Sequence, residues 1–297
     1  MKVIATAPVG EDPHEVIASD DGQSAYVSNT GIGKFHVINV INLAKPTEET
    51  VIDTGALLGP HGLAFTDGKL WFTAEGAKAV ARYDTASNKI DCILGTGQNR
   101  THMVAVAPDQ LTFYTTNVDS STVSIFENVE LPPPVTPMGT TMPGAKPHKE
   151  WLQTVIPVGK GAEGFDVSPD RKELWTASAK DGKICVIDLG SKKVTAEFDA
   201  NVQGANRLKI TPDGKNALVS SLRSGDLTVF DVATRKEIHR INLGHGASGI
   251  LIDPDGTRAF VSCTPDNYVA VVDLKDWKVT SHVNVGDRPD GLAWAKK

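Results

Sequence analysis

Short segments of alternating apolar and polar residues recur along the whole chain. One example is Tyr268–Asp273, which reads Tyr-Val-Ala-Val-Val-Asp and is rich in β-branched residues. Gly-rich turns separate the segments, such as Asp-Pro-Asp-Gly at residues 253–256. A period of two with β-branched residues predicts β-strands, and no segment shows the 3.6-residue period of an amphipathic helix. The pattern therefore predicts a protein built from many short strands.

The strands are grouped in units that all open in a similar way. The openings begin at Pro13, Pro60, Thr101, Ala162, Ala205, Ala247 and Pro289, which lie 47, 41, 61, 43, 42 and 42 residues apart. A unit holds four strand-like segments, and four strands repeated at about 40–45 residues indicate a β-propeller blade. A solenoid is the alternative, but it needs polar capping units at its ends, and the sequence shows none.

The two ends of the chain resemble parts of one further unit. Residues 2–10 are similar to the fourth strand at residues 278–286, and residues 291–295 are similar to a first strand. Seven first and seven fourth strands then accompany only six second and six third strands. We therefore predict one all-β domain over residues 1–297, a seven-bladed β-propeller of four-stranded blades. One blade is expected to be incomplete, with two strands missing before Met1.

Composition narrows the classes of function. The 297 residues are 40% hydrophobic and 22% charged, with a net charge of −6. An acidic chain without a basic stripe argues against a nucleic-acid partner, since phosphate contacts need clustered Lys and Arg. No apolar run is long enough for a membrane span, and the first residues lack the pattern of a signal peptide. The three cysteines have no metal-ligand spacing.

The middle residue of each opening is polar and differs between units. We name this set the polar ring: His14, His61, His102, Glu163, Asn206, Ser248 and Asp290. Because the first strand of each blade lines the central channel, equivalent positions should crowd one channel mouth. Residues near the ring or at the ends of second strands should reach the same face, and they add the candidate ligand-binding residues Asn29, Glu75, Asn117, Arg207 and Arg223. The sequence thus predicts a polar pocket there, in which Asn206, Ser248 and Asp290 also contact the ligand.

The three histidines of the ring come from three successive units. With Glu163 they form a plausible ligand set for a divalent metal such as zinc or copper. Two other interpretations remain open, a metal-free ligand pocket and a water-filled channel in which histidines only bond between blades. Arg207 and Arg223 are candidates for clamping an anion, although each could instead form a surface ion pair.

Residues 130–150 make the third unit longer than the others. They contain Leu131-Pro132-Pro133-Pro134 and three more prolines. A proline-stiffened segment between a third and a fourth strand predicts an extended loop on the face opposite the ring.

Several units resemble the YVTN β-propeller repeat. The sequence Ala25-Tyr26-Val27-Ser28-Asn29 is the clearest copy, with weaker copies at residues 113–117 and 259–262. The chain resembles the YncE-like group over essentially its whole length. The resemblance implies a propeller fold and, because many members are exported, a periplasmic or extracellular location. It implies no single activity, since such propellers serve as enzymes, binding proteins and surface proteins.

The function expected from these observations is binding at the channel mouth. The partner would be a small polar or anionic molecule or a protein, with no nucleic acid and no membrane span. The alternative is a metal-dependent hydrolase, lactonase or lyase that uses His14, His61, His102 and Glu163. No nucleophile or general base can be assigned from the sequence, so neither class is excluded.

Overall fold

Six four-stranded antiparallel sheets make up the structure, a computed structural model that describes residues 1–296. Blade 1 contains β1 (Pro13–Ala18), β2 (Ser24–Asn29), β3 (Val37–Asn42) and β4 (Glu49–Asp53). Blade 2 contains β5 (Pro60–Thr66), β6 (Lys69–Ala74), β7 (Ala79–Asp84) and β8 (Lys89–Gly95). Blade 3 contains β9 (Thr101–Val106), β10 (Thr112–Asn117), β11 (Thr122–Leu131) and β12 (His148–Pro157).

The other three blades repeat the same strand order. Blade 4 contains β13 (Ala162–Val167), β14 (Glu173–Ser178), β15 (Lys183–Asp188) and β16 (Lys193–Asp199). Blade 5 contains β17 (Ala205–Ile210), β18 (Asn216–Ser221), β19 (Asp226–Asp231) and β20 (Glu237–Asn242). Blade 6 contains β21 (Ala247–Ile252), β22 (Arg258–Cys263), β23 (Tyr268–Asp273) and β24 (Lys278–Asn284). No helix within residues 1–296 is long and apolar enough to cross a membrane.

The core lies between neighbouring blades. Trp175 of blade 4 and Phe230 of blade 5, for example, belong to one buried cluster. The second and third strands are largely buried on both faces, because these faces pack against neighbouring blades or, in blade 1, also against Ala7 and Val9 of the N-terminal segment. The fourth strands alternate instead, and β8 exposes every second residue. The first strand of each blade faces the channel.

The prediction of a seventh blade is wrong. The described residues form six sheets, and residues 1–12 and 285–296 contain no strand. Strand-like alternation describes which side chains face a core, but a strand also needs a neighbouring edge that satisfies its backbone hydrogen bonds. The segments at the two ends do not pair into such an edge.

The C-terminal segment nevertheless lies between the first strands of blades 6 and 1. The amide of Gly291 donates to the carbonyl of His14 at 3.0 Å. The hydroxyl of Ser262 donates to the carbonyl of Asp290 at 2.7 Å. This seating places Asp290 among the side chains of the polar ring.

The predicted loop at residues 130–150 is shorter than expected. Strands β11 and β12 stay paired as far as Leu131 and His148, so only residues 132–147 join them. An isolated bridge between Val135 and Thr141 closes part of this connection. It lies at the opposite end of the blade from Asn117, which pairs with Thr122 on the ring side.

Every first strand carries a β-bulge at the same place. In β5 the register shifts between Pro60 and Leu63, so that His61 and Gly62 together face one residue of β6. Equivalent shifts occur in the other five first strands. Bulges bend a strand and redirect its side chains. Here they aim the residues of the polar ring at the channel mouth.

A side-chain hydroxyl of the second strand forms hydrogen bonds to both the bulge and the first strand of the next blade. The Thr73 hydroxyl accepts from the amide of Gly62 at 2.8 Å and donates to the carbonyl of His102 at 2.6 Å. Four other blades place a donor to the next ring carbonyl at the same position, namely Ser28, Thr116, Ser220 and Ser262. Blade 4 has Ala177 there instead. The hydroxyls hold the ring residues of adjacent blades in register.

Replacing Thr73 by Val should destabilise the protein by about 1–3 kcal/mol, because Gly62 and His102 would each lose a buried hydrogen-bond partner. Urea unfolding of the Thr73→Val protein measures this loss. Thr50→Val, at an exposed position of β4, is the matched control and should change stability by less than about 0.5 kcal/mol. Equal effects of the two substitutions would show that the hydroxyl contributes nothing.

Candidate functional site

Three histidines from successive blades stack at one mouth of the channel. The ring centroids of His14 and His61 lie 4.5 Å apart, and those of His61 and His102 lie 3.9 Å apart. His61 and His102 are buried, whereas the side chain of His14 is 35% exposed. The stack is therefore reached from solvent at its His14 end.

Carboxylates surround this stack. Glu75 accepts a hydrogen bond from Nδ1 of His102 at 2.5 Å. An oxygen of Glu163 lies 2.9 Å from Nε2 of the same ring, but not in a hydrogen-bonding direction. Asp290 approaches Nδ1 of His14 at 2.8 Å, again without hydrogen-bond alignment. We name these histidines and carboxylates, with Glu15, the His pocket.

Two groups of potential metal ligands share His61. One group is His14, Glu15 and His61, and the other is His61, Glu75 and His102. Within each group the ligand atoms lie within 4.8 Å of one another. Since both groups include the central imidazole, a cation in this pocket would be expected to use His61.

The carboxylates set the charge of His102. Burial opposes a charged imidazole, but Glu163 and Glu75 outweigh it and raise the pKa of His102 to about 9. Burial likewise opposes the charge of Glu163, yet His102 holds the pKa of that carboxyl below its usual range. His102 is therefore an imidazolium at neutral pH, between two carboxylates.

His61 behaves in the opposite way. Burial, followed by the charges of His102, His14 and Arg100, holds the pKa of His61 well below its usual range. The ring is neutral at physiological pH, and its Nδ1 has no hydrogen-bond partner among residues 1–296. A neutral imidazole nitrogen is the form that binds metals.

An ion pair crosses the channel beside the His pocket. Arg207 of blade 5 contacts Glu15 of blade 1 through its guanidinium, and both side chains are almost fully buried. The guanidinium also donates to the side-chain oxygen of Asn206 at 3.2 Å. The pair adjoins an axial cavity of about 120 Å³, which residues of all six first strands line together with Gly291 and Leu292.

Several of the sequence-derived candidates lie apart from the pocket. Asn29 and Asn117 are fully buried inside their blades, where they donate to Asn39 and Ser124. Arg223 is exposed, and the clamp expected with Arg207 is not formed, because Arg207 pairs with Glu15. The carboxamides point inward because strand parity, rather than closeness to the ring, decides which way the last residue faces.

The remaining ring residue, Ser248, shares a hydrogen bond of 2.7 Å with the hydroxyl of Thr264. It contributes a polar edge near the C-terminal segment rather than a contact with the histidines. The ring therefore consists of five titratable residues and two neutral ones, Asn206 and Ser248.

Sequence reasoning missed two charged residues of the site. Glu15 directly follows His14, and Arg100 precedes the opening that contains His102. Glu15 occupies the position equivalent to Arg207, so the register of the repeats could have indicated it, whereas Arg100 lies outside the repeated opening. A search for charged neighbours of the ring histidines would have found both.

The charge of His102 predicts how stability depends on pH. Its folded pKa lies above the unfolded value, so this contribution is complete below about pH 6.5 and is lost as pH rises through about 9. The loss should be at most about 3 kcal/mol for the metal-free protein. Urea unfolding with a chelator at several pH values measures it. His102→Gln should remove the dependence in this window, and an unchanged slope would contradict the assignment.

Comparisons with known proteins bear on the fold. Residues 142–255 match the family model described as YncE-like β-propeller. Comparison with curated protein sequences found no match. Among solved structures, a chain of Kuenenia stuttgartiensis hydrazine synthase is similar with a TM-score of 0.73 and 16% identity, over 99% of this chain and 92% of that one. That identity shows a shared fold alone. The family model thereby confirms, for residues 142–255, the resemblance to YncE-like β-propellers that the repeats indicated.

Proposed function

We propose that this propeller is a binding protein whose His pocket holds a divalent ion of borderline softness, zinc or copper(II). One observation carries the proposal. Ten buried side-chain polar atoms lack a hydrogen-bond partner within residues 1–296, and six of them belong to the pocket and its ion pair. Four of the six make ion-pair contacts inside the pocket, while His61 and Asp290 each have an atom without any partner. Because unpartnered buried atoms are rare in native proteins, the six together support a ligand at this place. They include one nitrogen of each of the three histidines.

The surroundings of His102 suit a metal ligand. Glu75 bonds to Nδ1 of His102, which leaves Nε2 as the atom that faces Glu163. Histidine ligands of metals commonly donate their other nitrogen to a carboxylate, which fixes the orientation of the ring. In this proposal His102, His61, His14 and Glu163 are the ligands, and Glu75 orients His102. Binding at Nε2 replaces one proton.

Charge also favours a cation over an anion. The pocket contains the carboxylates of Glu15, Glu75, Glu163 and Asp290, while the guanidinium groups of Arg100 and Arg207 lie beside them. With His102 protonated the formal balance is one negative charge. Loss of that proton on metal binding makes it two, which one divalent cation neutralises. An anionic ligand would add to the excess and would be repelled.

The direct test is metal binding by the intact chain. Protein treated with a chelator and then dialysed is titrated calorimetrically with zinc and copper(II). We expect saturable binding of one ion per chain. Magnesium and calcium, which prefer oxygen ligands, are the control and should give no binding at the same concentrations. If neither zinc nor copper(II) binds, the proposal fails.

Metal-assisted hydrolysis, lactone opening or a lyase reaction is the second candidate. The observation that favours it is the partial exposure of His14, which leaves one side of the ligand set open to solvent. A catalytic metal needs such an accessible position for water or substrate. Assays of the zinc-loaded protein with simple lactones and activated esters separate the candidates, since saturable metal binding without turnover leaves only the binding function.

The location that we propose is periplasmic or extracellular. Its support is the resemblance to the YncE-like group, many of whose members are exported. Localisation of the full-length gene product by cell fractionation tests it, and recovery in the cytoplasmic fraction alone would contradict it.

A further inference from the structure

Arg100 lies at the edge of the His pocket but belongs to no strand. Its backbone has φ of 54°, a left-handed conformation that non-glycine residues rarely adopt. The backbone here is held firmly, because the carbonyl of Arg100 accepts from Val118 at 3.0 Å and the amide of Asn99 donates to Ser120 at 2.8 Å. The side chain is 42% exposed. The movable part of this residue is thus its long side chain.

The guanidinium of Arg100 is directed at the carboxylates that contact His102. Its Nε lies 3.4 Å from Glu75, and its Nη2 lies 4.0 Å from Glu163. Within residues 1–296, these two carboxylates are the only ones at ion-pair distance from Arg100. The positive charge therefore sits where it offsets the same oxygens that a metal ion would need.

We propose that Arg100 is a tethered cation that competes with the metal for the His pocket, and that its side chain swings outward when the metal binds. This inference rests on the proposed function and adds a regulating residue to it. A guanidinium and a divalent ion repel one another strongly at a few ångströms in a partly buried site. An anchored backbone and an exposed side chain allow the displacement without movement of blade 3. Arg100 therefore lowers metal affinity and favours release.

Replacing Arg100 by an uncharged residue tests whether its guanidinium competes with the metal ion. Zinc affinity is measured by calorimetry for the wild type, Arg100→Gln and Arg100→Lys. We expect Arg100→Gln to bind zinc at least about tenfold more tightly, because Gln retains polarity without the charge. Arg100→Lys keeps the charge and should remain closer to the wild type. Arg223→Gln, an exposed arginine on the same face with no ion pair within the described residues, is the matched control and should have wild-type affinity.

The outcomes separate this inference from the proposed function. If the wild type binds zinc and Arg100→Gln binds it equally or more weakly, the competition is refuted while the metal site stands. If only Arg100→Gln binds, Arg100 does compete for the pocket, but the wild-type protein holds no metal and the proposed function is refuted. Absence of binding in both proteins refutes the metal site and the competition together.

Discussion

Replacing His61 by Ala should lower the affinity for zinc and copper(II) by more than about 100-fold. Loss of a residue that only supports a metal ligand already costs about 10–100-fold in affinity, and His61 is the central ligand of the proposed set. Its imidazole belongs to both groups of potential ligands and lies within stacking distance of His14 and His102. Calorimetric titration of the metal-free variant measures the loss.

The same variant should remain folded. The contact between blades at this position uses the backbone, since the carbonyl of His61 accepts from Ser28 at 2.8 Å whatever the side chain is. His239→Ala provides the control, because His239 stacks on Trp277 in blade 6 and lies outside the pocket. Full zinc affinity in His61→Ala would exclude this histidine as a ligand, and a shared loss in both variants would indicate unfolding.

The four-stranded unit could be predicted from the sequence because alternation is a local property. The segment Tyr268–Asp273 shows it clearly, and it forms β23. The number of blades could not be predicted in the same way. Residues 2–10 have a strand-like pattern, but whether they pair depends on an edge supplied by distant parts of the chain.

The position of the ring could be predicted because equivalent strands in a radial repeat direct equivalent residues alike. The structure brings His14, His61, His102, Glu163 and Asp290 into successive contact. The sequence did not reveal the bulge that aims them. A bulge depends on the register between two strands, and that register cannot be predicted from the sequence of one strand alone.

The ion pairs and pKa shifts of the site could not be predicted from the sequence. Glu15 could have been expected to face the histidines, but its partner Arg207 comes from blade 5, and their pairing depends on the width of the channel. The raised pKa of His102 arises from two carboxylates on different blades. These contacts join residues that are distant in the sequence, and they form only when the blades are arranged around the channel.

Replacing Gly164 by Ala should destabilise the protein by about 3 kcal/mol or more, because the new methyl group would overlap with neighbouring backbone. A Cβ at this position would lie 2.6 Å from the carbonyl oxygen of Asn206, the Cα of Arg207 and the amide nitrogen of Leu208. These atoms belong to the first strand of the next blade. Backbone cannot move aside as a side chain can, so blade 4 would have to shift away from blade 5.

Gly95→Ala is the matched control for this substitution. Gly95 also lies in a strand, but a Cβ there would meet no atom of the described residues within 4 Å, and its φ is not in the left-handed region. Reduced freedom of the unfolded chain should then make the substitution neutral or stabilising by a few tenths of a kcal/mol. Urea unfolding of both variants measures the contrast. A Gly164→Ala protein as stable as Gly95→Ala would show that the first strands of adjacent blades can separate easily, and the ring residues would then lack a fixed register.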